Sequence, residues 1–414
     1  MLIVFFPLIV LFIVAPAFAE DISLHGFVQG NYSARVTGDR PPESKGGDLV
    51  WADERVQLKI DGGIKAFRFF TKTDLIGEHI NENADVEFRE AYVDYASKSW
   101  DMRLGKQMFT WGVGDLIFIN DVFPKDYEAF FSGRPMEYLK RGVDAVKVGL
   151  YPKVTSIELV AIPFFKSNNY PKTDRFIMYD SMPNVRERSE KEPNPRVKNT
   201  EYAVRIYRDI LGMDAALYVY RGFHRKPAMM VDNPDSPRYI TYFYPRLSVY
   251  GFSLQGRMLE GILSLEGGYY DSKEDRAGKN SMVPNSQTRG LVGYNRQLWE
   301  DFTIGIQYYG EYMHRYTEYK GSLSTGSPRD KRLKQLATLR LTQFLKYQTI
   351  KLSLFTFYSP SDKDYMINPE FKYSLSDHVW FAVGGNVFGG GKPHTEFGQL
   401  NKDDNIYTVV RYEF

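Results

Sequence analysis

The chain has 414 residues, no cysteine and a formal net charge of +2, with 53 Lys and Arg against 51 Asp and Glu. The lack of cysteine excludes disulfides, a thiolate nucleophile and covalent c-type haem attachment, and so small a net charge does not indicate a nucleic-acid partner. Aromatic residues make up 15% of the chain, although its mean hydropathy is −0.39. This combination is typical of transmembrane β-barrels, whose strands face lipid and water alternately and carry aromatic girdles at both interfaces.

The first 19 residues predict a secretory signal peptide. They contain no charged residue and end in Ala17-Phe18-Ala19, which is a small-x-small cleavage site. An uncleaved anchor helix is the alternative, but Pro7 and Pro16 disfavour it. No later segment reaches the ~18–20 apolar residues that a spanning helix needs. We therefore assign 1–19 to the signal peptide and 20–414 to a single transmembrane β-barrel domain.

Segments in which apolar and polar residues alternate follow one another along the mature chain. This pattern predicts an all-β fold, a transmembrane antiparallel β-barrel of about 18 strands (16–18). The spacers alternate short and long, as do the periplasmic turns and outer loops of outer-membrane barrels. The predicted strands are 22–36, 49–61, 64–75, 86–97, 100–111, 143–152, 154–165, 201–210, 213–224, 241–255, 260–272, 287–297, 301–314, 332–343, 348–358, 364–374, 377–388 and 404–414.

The long spacer 112–142 differs from the other long spacers because it is rich in apolar residues. Exposure of such a segment to water would be unfavourable, and a barrel of this size would otherwise leave an open aqueous channel. We expect this spacer to fold into the lumen as a constriction loop. The alternative is an outer loop that caps the barrel or packs against a partner.

Charged residues on the wall and in this loop are candidate pore-lining groups. The wall candidates are Arg55, Lys59, Arg68, Lys72, Arg89 and Arg103, which the alternation places on neighbouring strands. The loop candidates are Asp115, Asp121, Asp126, Glu128, Arg134, Lys140 and Arg141. A basic track opposite the loop carboxylates, which also include Glu137, would set ion preference at the narrowest point. Alternatively, these charges pair with one another and only keep the wall hydrated and rigid.

Four short motifs near this loop carry a family resemblance. They are Arg89–Tyr95 (REAYVDY), Arg103–Gln107 (RLGKQ), Trp111-Gly112, and Asn120–Asp126 (NDVFPKD). They resemble a poorly characterised family of porin-like outer-membrane β-barrels of Gram-negative bacteria, near the alginate-export and phosphate-selective porin-type barrels. The resemblance implies a lumenal site around these strands and their loop, but it names no solute.

The last strand also resembles the closing strand of a bacterial outer-membrane barrel. Apolar and aromatic residues from Ile406 to Phe414 alternate with more polar ones, and the chain ends on an aromatic residue. In that class, Tyr412 and Phe414 would form the C-terminal signal that the barrel-assembly machinery reads. The alternative is a half-buried edge strand of a soluble β-protein.

These features predict a porin-like channel in the Gram-negative outer membrane for passive diffusion of small hydrophilic solutes, with an anionic preference as the finer hypothesis. The expected partners are the lipid bilayer, lipopolysaccharide, the assembly machinery and the solute, and the barrel is either monomeric or homo-oligomeric. The six histidines lack metal-ligand spacing and no nucleophile motif is present, so we expect neither an enzyme nor a cofactor. The alternative function is a structural sheath for a partner such as an exported multihaem cytochrome.

Overall fold

A computed structural model describes residues 21–233, 236–324 and 326–414. The predicted signal peptide and its cleavage site lie outside these residues. Among the described residues, no helix is both long and apolar enough to cross a membrane. The helices are short: α1 is Tyr127–Phe131, α2 is Tyr316–Ser322, and 3-10 turns occur at Met136–Leu139, Val197–Asn199 and Gly398–Leu400.

Eighteen strands form a single closed antiparallel sheet, which confirms the predicted fold class. These barrel strands are β1 Asp21–Arg35, β2 Leu49–Ile64, β3 Phe67–Glu78, β4 Asn83–Ala96, β5 Trp100–Gln107, β6 Val143–Leu150, β7 Ser156–Ile162, β9 Glu201–Ile210, β10 Met213–Phe223, β13 Arg246–Met258, β14 Gly261–Ser272, β15 Gln287–Trp299, β16 Phe302–Met313, β17 Leu333–Leu345, β18 Ile350–Ser359, β19 Asp364–Ser374, β20 Val379–Gly390 and β21 Asn405–Glu413. Three loop strands, β8 Glu187–Lys191, β11 Ala228–Val231 and β12 Tyr239–Phe243, form a small separate sheet.

The first and last strands close the barrel. β1 pairs with β2 on one side and with β21 on the other, in a register that places Phe27 opposite Glu413. Beyond this register, the Gly26 N–H donates to the Phe414 carbonyl at 2.9 Å and the Phe414 N–H donates back at 3.0 Å. Because every barrel strand has two neighbours, the sheet presents no free edge to lipid.

The predicted alternation separates an apolar outer surface from a polar inner one. On β21, Ile406, Val410, Tyr412 and Phe414 face outward and are between 43% and 57% exposed. Arg411, between two of them, points inward and is buried. The same alternation holds on the other barrel strands, so the outside of the barrel is an apolar belt of the kind that lipid requires.

One end of the barrel carries only short turns, and the other carries all the long loops together with the short connections 79–82 and 360–363. The short connection between β9 and β10 is Leu211-Gly212, and both residues have positive φ, at 55° and 79°. This is the backbone conformation of a two-residue hairpin, which glycine adopts without strain. The long loops fall at the other end, which we call the extracellular end following the usual orientation of these barrels.

One predicted strand is wrong in its boundaries. The segment 241–255 divides into loop strand β12, which ends at Phe243, and barrel strand β13, which begins at Arg246. Pro245 lies between them and has no N–H to donate to a ladder, so the chain leaves one sheet there and enters another. The alternation in 241–255 is blurred by the consecutive aromatic residues Tyr242, Phe243 and Tyr244, so the sequence pattern did not separate the two strands.

The outward face can be tested by paired arginine substitutions at neighbouring positions. Ile306 faces outward near the middle of β16 and is 50% exposed, whereas Thr342 on adjacent β17 faces the lumen and is half-buried. We expect Ile306→Arg to lower the free energy of unfolding in bilayers by about 2–4 kcal/mol, because the charge would enter lipid. Thr342→Arg should lower the free energy of unfolding by clearly less, because its charge would face water in the lumen. Urea titration followed by heat-modifiable gel mobility measures both, and equal losses would contradict the assigned orientation.

Candidate functional site

The segment 108–142 between β5 and β6, here called the lumenal segment, lies inside the barrel. Its aromatic residues contact inward-facing rings on distant strands. The ring centroids of Trp111 and Tyr218 on β10 are 5.7 Å apart, and those of Phe131 and Phe388 on β20 are also 5.7 Å apart. Contacts on such separate strands require the segment to enter the lumen, as its apolar composition predicted.

Glu266 on β14 holds the first part of the lumenal segment. Its carboxylate accepts hydrogen bonds from the backbone N–H groups of Val113, Gly114 and Asn120 at 2.8–3.0 Å, and from the Asn120 side chain at 3.0 Å. A Cβ at Gly112 would come within 2.4 Å of this carboxylate, and φ there is +78°. Glycine is therefore needed at position 112 for the close approach of backbone and wall.

Asp115 binds the wall diametrically opposite β5, because β17 lies halfway round the ring of eighteen strands. Its carboxylate pairs with Arg340 on β17, with Nη2 and Oδ1 2.9 Å apart. Its backbone N–H donates to Gln307 on β16 at 2.7 Å, and Gln307 donates to its carbonyl at 2.8 Å. The lumenal segment thus crosses the full width of the barrel before it returns.

The returning part binds the wall near the barrel seam. Asn386 on β20 and Asn405 on β21 both donate to the Phe131 carbonyl at 3.0 Å. Glu137 then forms an ion pair with Arg411 on β21 and lies 3.9 Å from Lys72 on β3. Burial opposes ionisation of Glu137, but Arg411 and Lys72 outweigh it and lower its pKa.

Two of the predicted wall residues, Arg55 and Arg89, bind the lumenal segment. Arg55 is 1% exposed and pairs with Asp53 at 2.8 Å and with Asp74. Arg89 is 3% exposed and donates to the Glu137 carbonyl at 2.6 Å. Both guanidinium groups stack on the Tyr138 ring, at 4.4 and 4.2 Å from its centroid. In these positions they hold the segment against the wall.

The other four predicted wall residues lie closer to water. Lys59 and Lys72 are cross-strand partners on β2 and β3, and both are half-buried. Arg103 makes two hydrogen bonds to Asp94, at 2.7 and 2.9 Å. The side chain of Arg68 is 73% exposed at the periplasmic end. Lys59 and Lys72 are therefore partly accessible basic groups on the inward wall, and Lys72 also lies beside Glu137.

Several of the charged loop candidates bind other residues of the lumenal segment itself. Asp121 is buried and pairs with Lys125 at 2.8 Å and with Lys140 at 3.2 Å. Burial lowers the pKa of the Lys125 amine. Asp126 caps α1 by accepting from the Ala129 N–H at 2.8 Å. These groups fold the segment, and they do not face the basic wall.

The remaining candidates join the lumenal segment to the long outer loop that follows β7. Glu128 accepts from the Lys172 N–H at 3.2 Å, and Arg141 donates to the Ser167 carbonyl at 2.8 Å. Arg134 lies between the rings of Trp51 and Tyr138 at 4.4 and 4.6 Å. The outer loop thus covers the lumenal segment from the extracellular side.

The structure therefore brings together only part of the predicted arrangement. Among the loop carboxylates, Glu137 faces the basic wall, whereas Asp115 and Asp121 lie elsewhere. The wall residues Glu266, Gln307 and Arg340 were missed, although each sits on the polar, inward side of its predicted strand. Their position on that side was a usable signal, but their pairing with the lumenal segment depends on the path of a 31-residue loop, 112–142.

A cleft of about 260 Å³ remains between the lumenal segment and strands β16 to β19. Its walls are mostly apolar and aromatic, and four carboxylates and Lys334 also line it. Lining residues include Leu116, Phe118, Phe130, Leu336, Phe357 and Phe397. The lumen is thus narrowed by the segment and divided into surfaces of different polarity.

The fold is shared with solved structures of Pseudomonas aeruginosa OccK porins. The chain resembles Pseudomonas aeruginosa OccK2 (OpdF) in complex with glucuronate at TM-score 0.59 and 9% identity, covering 96% of this chain and 99% of that one. It resembles OccK3 (OpdO) of the same organism at TM-score 0.57 and 8% identity, covering 97% of each chain. OccK5 (OpdH) gives TM-score 0.56 at 11% identity, covering 96% of this chain and 99% of that one.

No family model and no curated protein sequence matches the chain. Identities this low establish the fold and nothing finer. The fold is therefore an 18-stranded antiparallel barrel of the porin type, which is the predicted fold class.

Glu266 provides a test of how the lumenal segment is held. In Glu266→Gln, an amide NH2 would replace one carboxylate oxygen and face the donors that it now accepts from. We expect local opening at 113–120 to become easier by about 2 kcal/mol, because buried donors would lose their partners. Amide hydrogen exchange at Val113 and Gly114 should accelerate. Ser264→Ala, two residues away on the same inward face, is the control, and unchanged exchange in Glu266→Gln would contradict this role.

Proposed function

We propose that the protein is a porin-like channel of the Gram-negative outer membrane through which small hydrophilic solutes diffuse passively. The observation that carries this proposal is the lumenal segment, which crosses a closed barrel and is bound to both walls through Glu266, Arg340 and Arg411. An 18-stranded barrel without such a segment would enclose a wide aqueous channel. A fixed crossing segment narrows that channel to a size at which solutes can be selected.

We further propose a preference for anionic solutes. Five basic side chains lie on neighbouring strands around the seam and form what we call the basic sector. It consists of Lys59, Lys72, Lys351, Lys372 and Arg411. Lys59 on β2 lies directly opposite Lys72 on β3, and Lys351 on β18 lies directly opposite Lys372 on β19. Such like-charge pairs are unfavourable alone, so an anion would relieve their repulsion.

Acidic groups also lie beside the basic sector, and each has a partner of its own. Glu137 and Glu413 lie near Arg411, and Glu370 bonds to Tyr407 at 3.1 Å. Glu90, opposite Lys72 on β4, accepts from the Met108 N–H at 3.1 Å, and Asp61, on the same face as Lys59, accepts from Ser23 and Arg68. The like-charge pairs, and not an excess of cations over carboxylates, therefore carry this proposal. The glucuronate in the OccK2 structure is a carboxylate ligand, which is compatible with this preference. A closer relation to alginate-export or phosphate-selective porins remains a prediction from the motifs.

The alternative of a sheath for an exported cytochrome is not favoured, because the lumenal segment and its outer loop occupy the space that a partner would need. The porin-fold neighbours are channels, which supports a non-enzymatic role at the level of the fold. Recognition of Tyr412 and Phe414 by the assembly machinery, and homo-oligomerisation, remain predictions.

Channel formation can be measured as single-channel conductance in planar bilayers. Replacing 112–142 with a short Gly/Ser linker should raise conductance several-fold, because the obstruction is removed from the lumen. Shortening the outer loop 38–46 in the same way is the control and should leave conductance near the native value. If neither the native protein nor the 112–142 replacement conducts, the channel proposal is wrong.

The anionic preference predicts a shift of reversal potential in a salt gradient. The triple variant Lys59→Gln, Lys72→Gln and Lys372→Gln should lower the anion-to-cation permeability ratio by about twofold or more, because three lumenal charges are removed. The control Arg40→Gln, Lys45→Gln and Lys402→Gln removes the same charge from exposed outer positions. Equal shifts in both triples would argue against a role for the basic sector while leaving the channel itself intact.

A further inference from the structure

Two neighbouring clefts open on the outward face of the barrel at its extracellular end. The first has a volume of about 450 Å³ and is lined by Lys198, Arg221, Arg246 and Lys273. The second has a volume of about 630 Å³, and Arg276, Arg315 and Arg332 are its cationic residues. Both lie on the sector formed by β10 and β13 to β17, and we call these seven side chains the basic rim.

The two clefts form one continuous surface. Tyr250 of the first cleft and Tyr269 of the second are cross-strand partners on β13 and β14. Asp271 links the clefts, because its carboxylate accepts from Arg276 at 2.9 and 3.1 Å and also binds Lys273. A single ligand could therefore contact both groups of cations.

The charge of this surface is strongly unbalanced. Asp271 is the carboxylate that lines the two clefts with the seven cations of the basic rim. Arg315 also lies 3.8 Å from Glu318, and Arg246 donates to Asn199 at 3.0 Å. The Arg221 side chain makes no polar contact with the described residues. The Arg221 guanidinium is consequently free to bind an added anion.

The basic rim lies directly above the apolar belt. Arg221 follows Val219 on the same outward face of β10, and Val219 is 45% exposed. Two residues of a strand span about 7 Å, so the guanidinium lies one headgroup layer beyond the belt. Tyr250 and Tyr269, 49% and 41% exposed, stand at the boundary as interfacial aromatic residues do.

The outward-facing residues at the extracellular end are of a different kind on another sector of the barrel. The outward faces of β18 to β21 reach the extracellular end with Tyr358, Tyr365, Val387 and Ile406, all partly exposed apolar or aromatic residues. The basic rim is therefore a local feature and not a general property of the barrel's outer edge.

We propose that the basic rim binds the phosphorylated headgroup of a glycolipid in the outer leaflet, namely the lipid A part of lipopolysaccharide. The proposal rests on the outer-membrane location proposed above. Arginine binds phosphate oxygens through paired N–H groups, and lipid A would place its phosphates above the apolar belt and its acyl chains along it. A second copy of the chain fits this sector poorly, because its own basic rim would meet like charge.

Binding of purified bis-phosphorylated lipid A to the protein in detergent tests this proposal. The triple variant Arg221→Gln, Arg276→Gln and Arg315→Gln should bind about a hundredfold more weakly, and Arg221→Gln alone about fivefold. The single variant removes a side chain without polar partners, so it keeps the test decisive if the triple variant folds poorly. The control Arg40→Gln, Lys45→Gln and Lys402→Gln removes equal charge at the same end on another sector.

Native binding by the Arg221 variants, equal loss in the control, or equal affinity of the native protein for dephosphorylated lipid A would each overturn the proposal. A change of oligomeric state in the triple variant without a change in lipid A binding would also overturn it, and would assign the sector to a protein interface. Conductance in neutral phospholipid bilayers should be native in the rim variants. Absence of conductance in the native protein would defeat the channel and leave the lipid A result standing.

Discussion

The rest of the structure depends on the requirement that backbone polar groups in lipid find partners within the protein. An unpaired strand edge would be costly there, so the sheet must close. The bonds between Gly26 and Phe414 extend the seam between β1 and β21 to the end of the chain. Closure then divides every strand into a lipid face and a water face, and the remaining features of the molecule follow from which face a residue occupies.

Closure also creates the interior that the lumenal segment fills. Where the segment packs against the wall, its backbone N–H and C=O groups become buried and need partners. Glu266 supplies four hydrogen bonds from a single carboxylate, and Asn386 and Asn405 satisfy the Phe131 carbonyl. Buried charges such as Arg55 and Asp121 are paired for the same reason. The wall polarity that lines the lumen is therefore also what fixes the position of the segment.

This separation explains how far the sequence could be interpreted. Alternation is local, so all eighteen barrel strands and the outward positions of Ile406 to Phe414 were predicted. The error at Pro245 arose where consecutive aromatic residues blur the alternation at a change of sheet. The pairing of loop charges is not local. Asp115 and Arg340 are 225 residues apart in the chain, and no period in the sequence relates them. The predicted opposition of basic wall and acidic loop therefore survives only at Glu137.

The basic residues of the strands also separate into an inward-facing group and an outward-facing group. Lys59 and Lys351 lie on the inward face at the seam, and they can act only on solutes within the lumen. Arg221 lies on the outward face, across the barrel from the seam, and can act only on the surrounding membrane. A net charge of +2 conceals this distribution, because carboxylates elsewhere balance both groups. The side of the strand on which each cation falls, and not the sum of the charges, decides whether it meets a solute or a lipid.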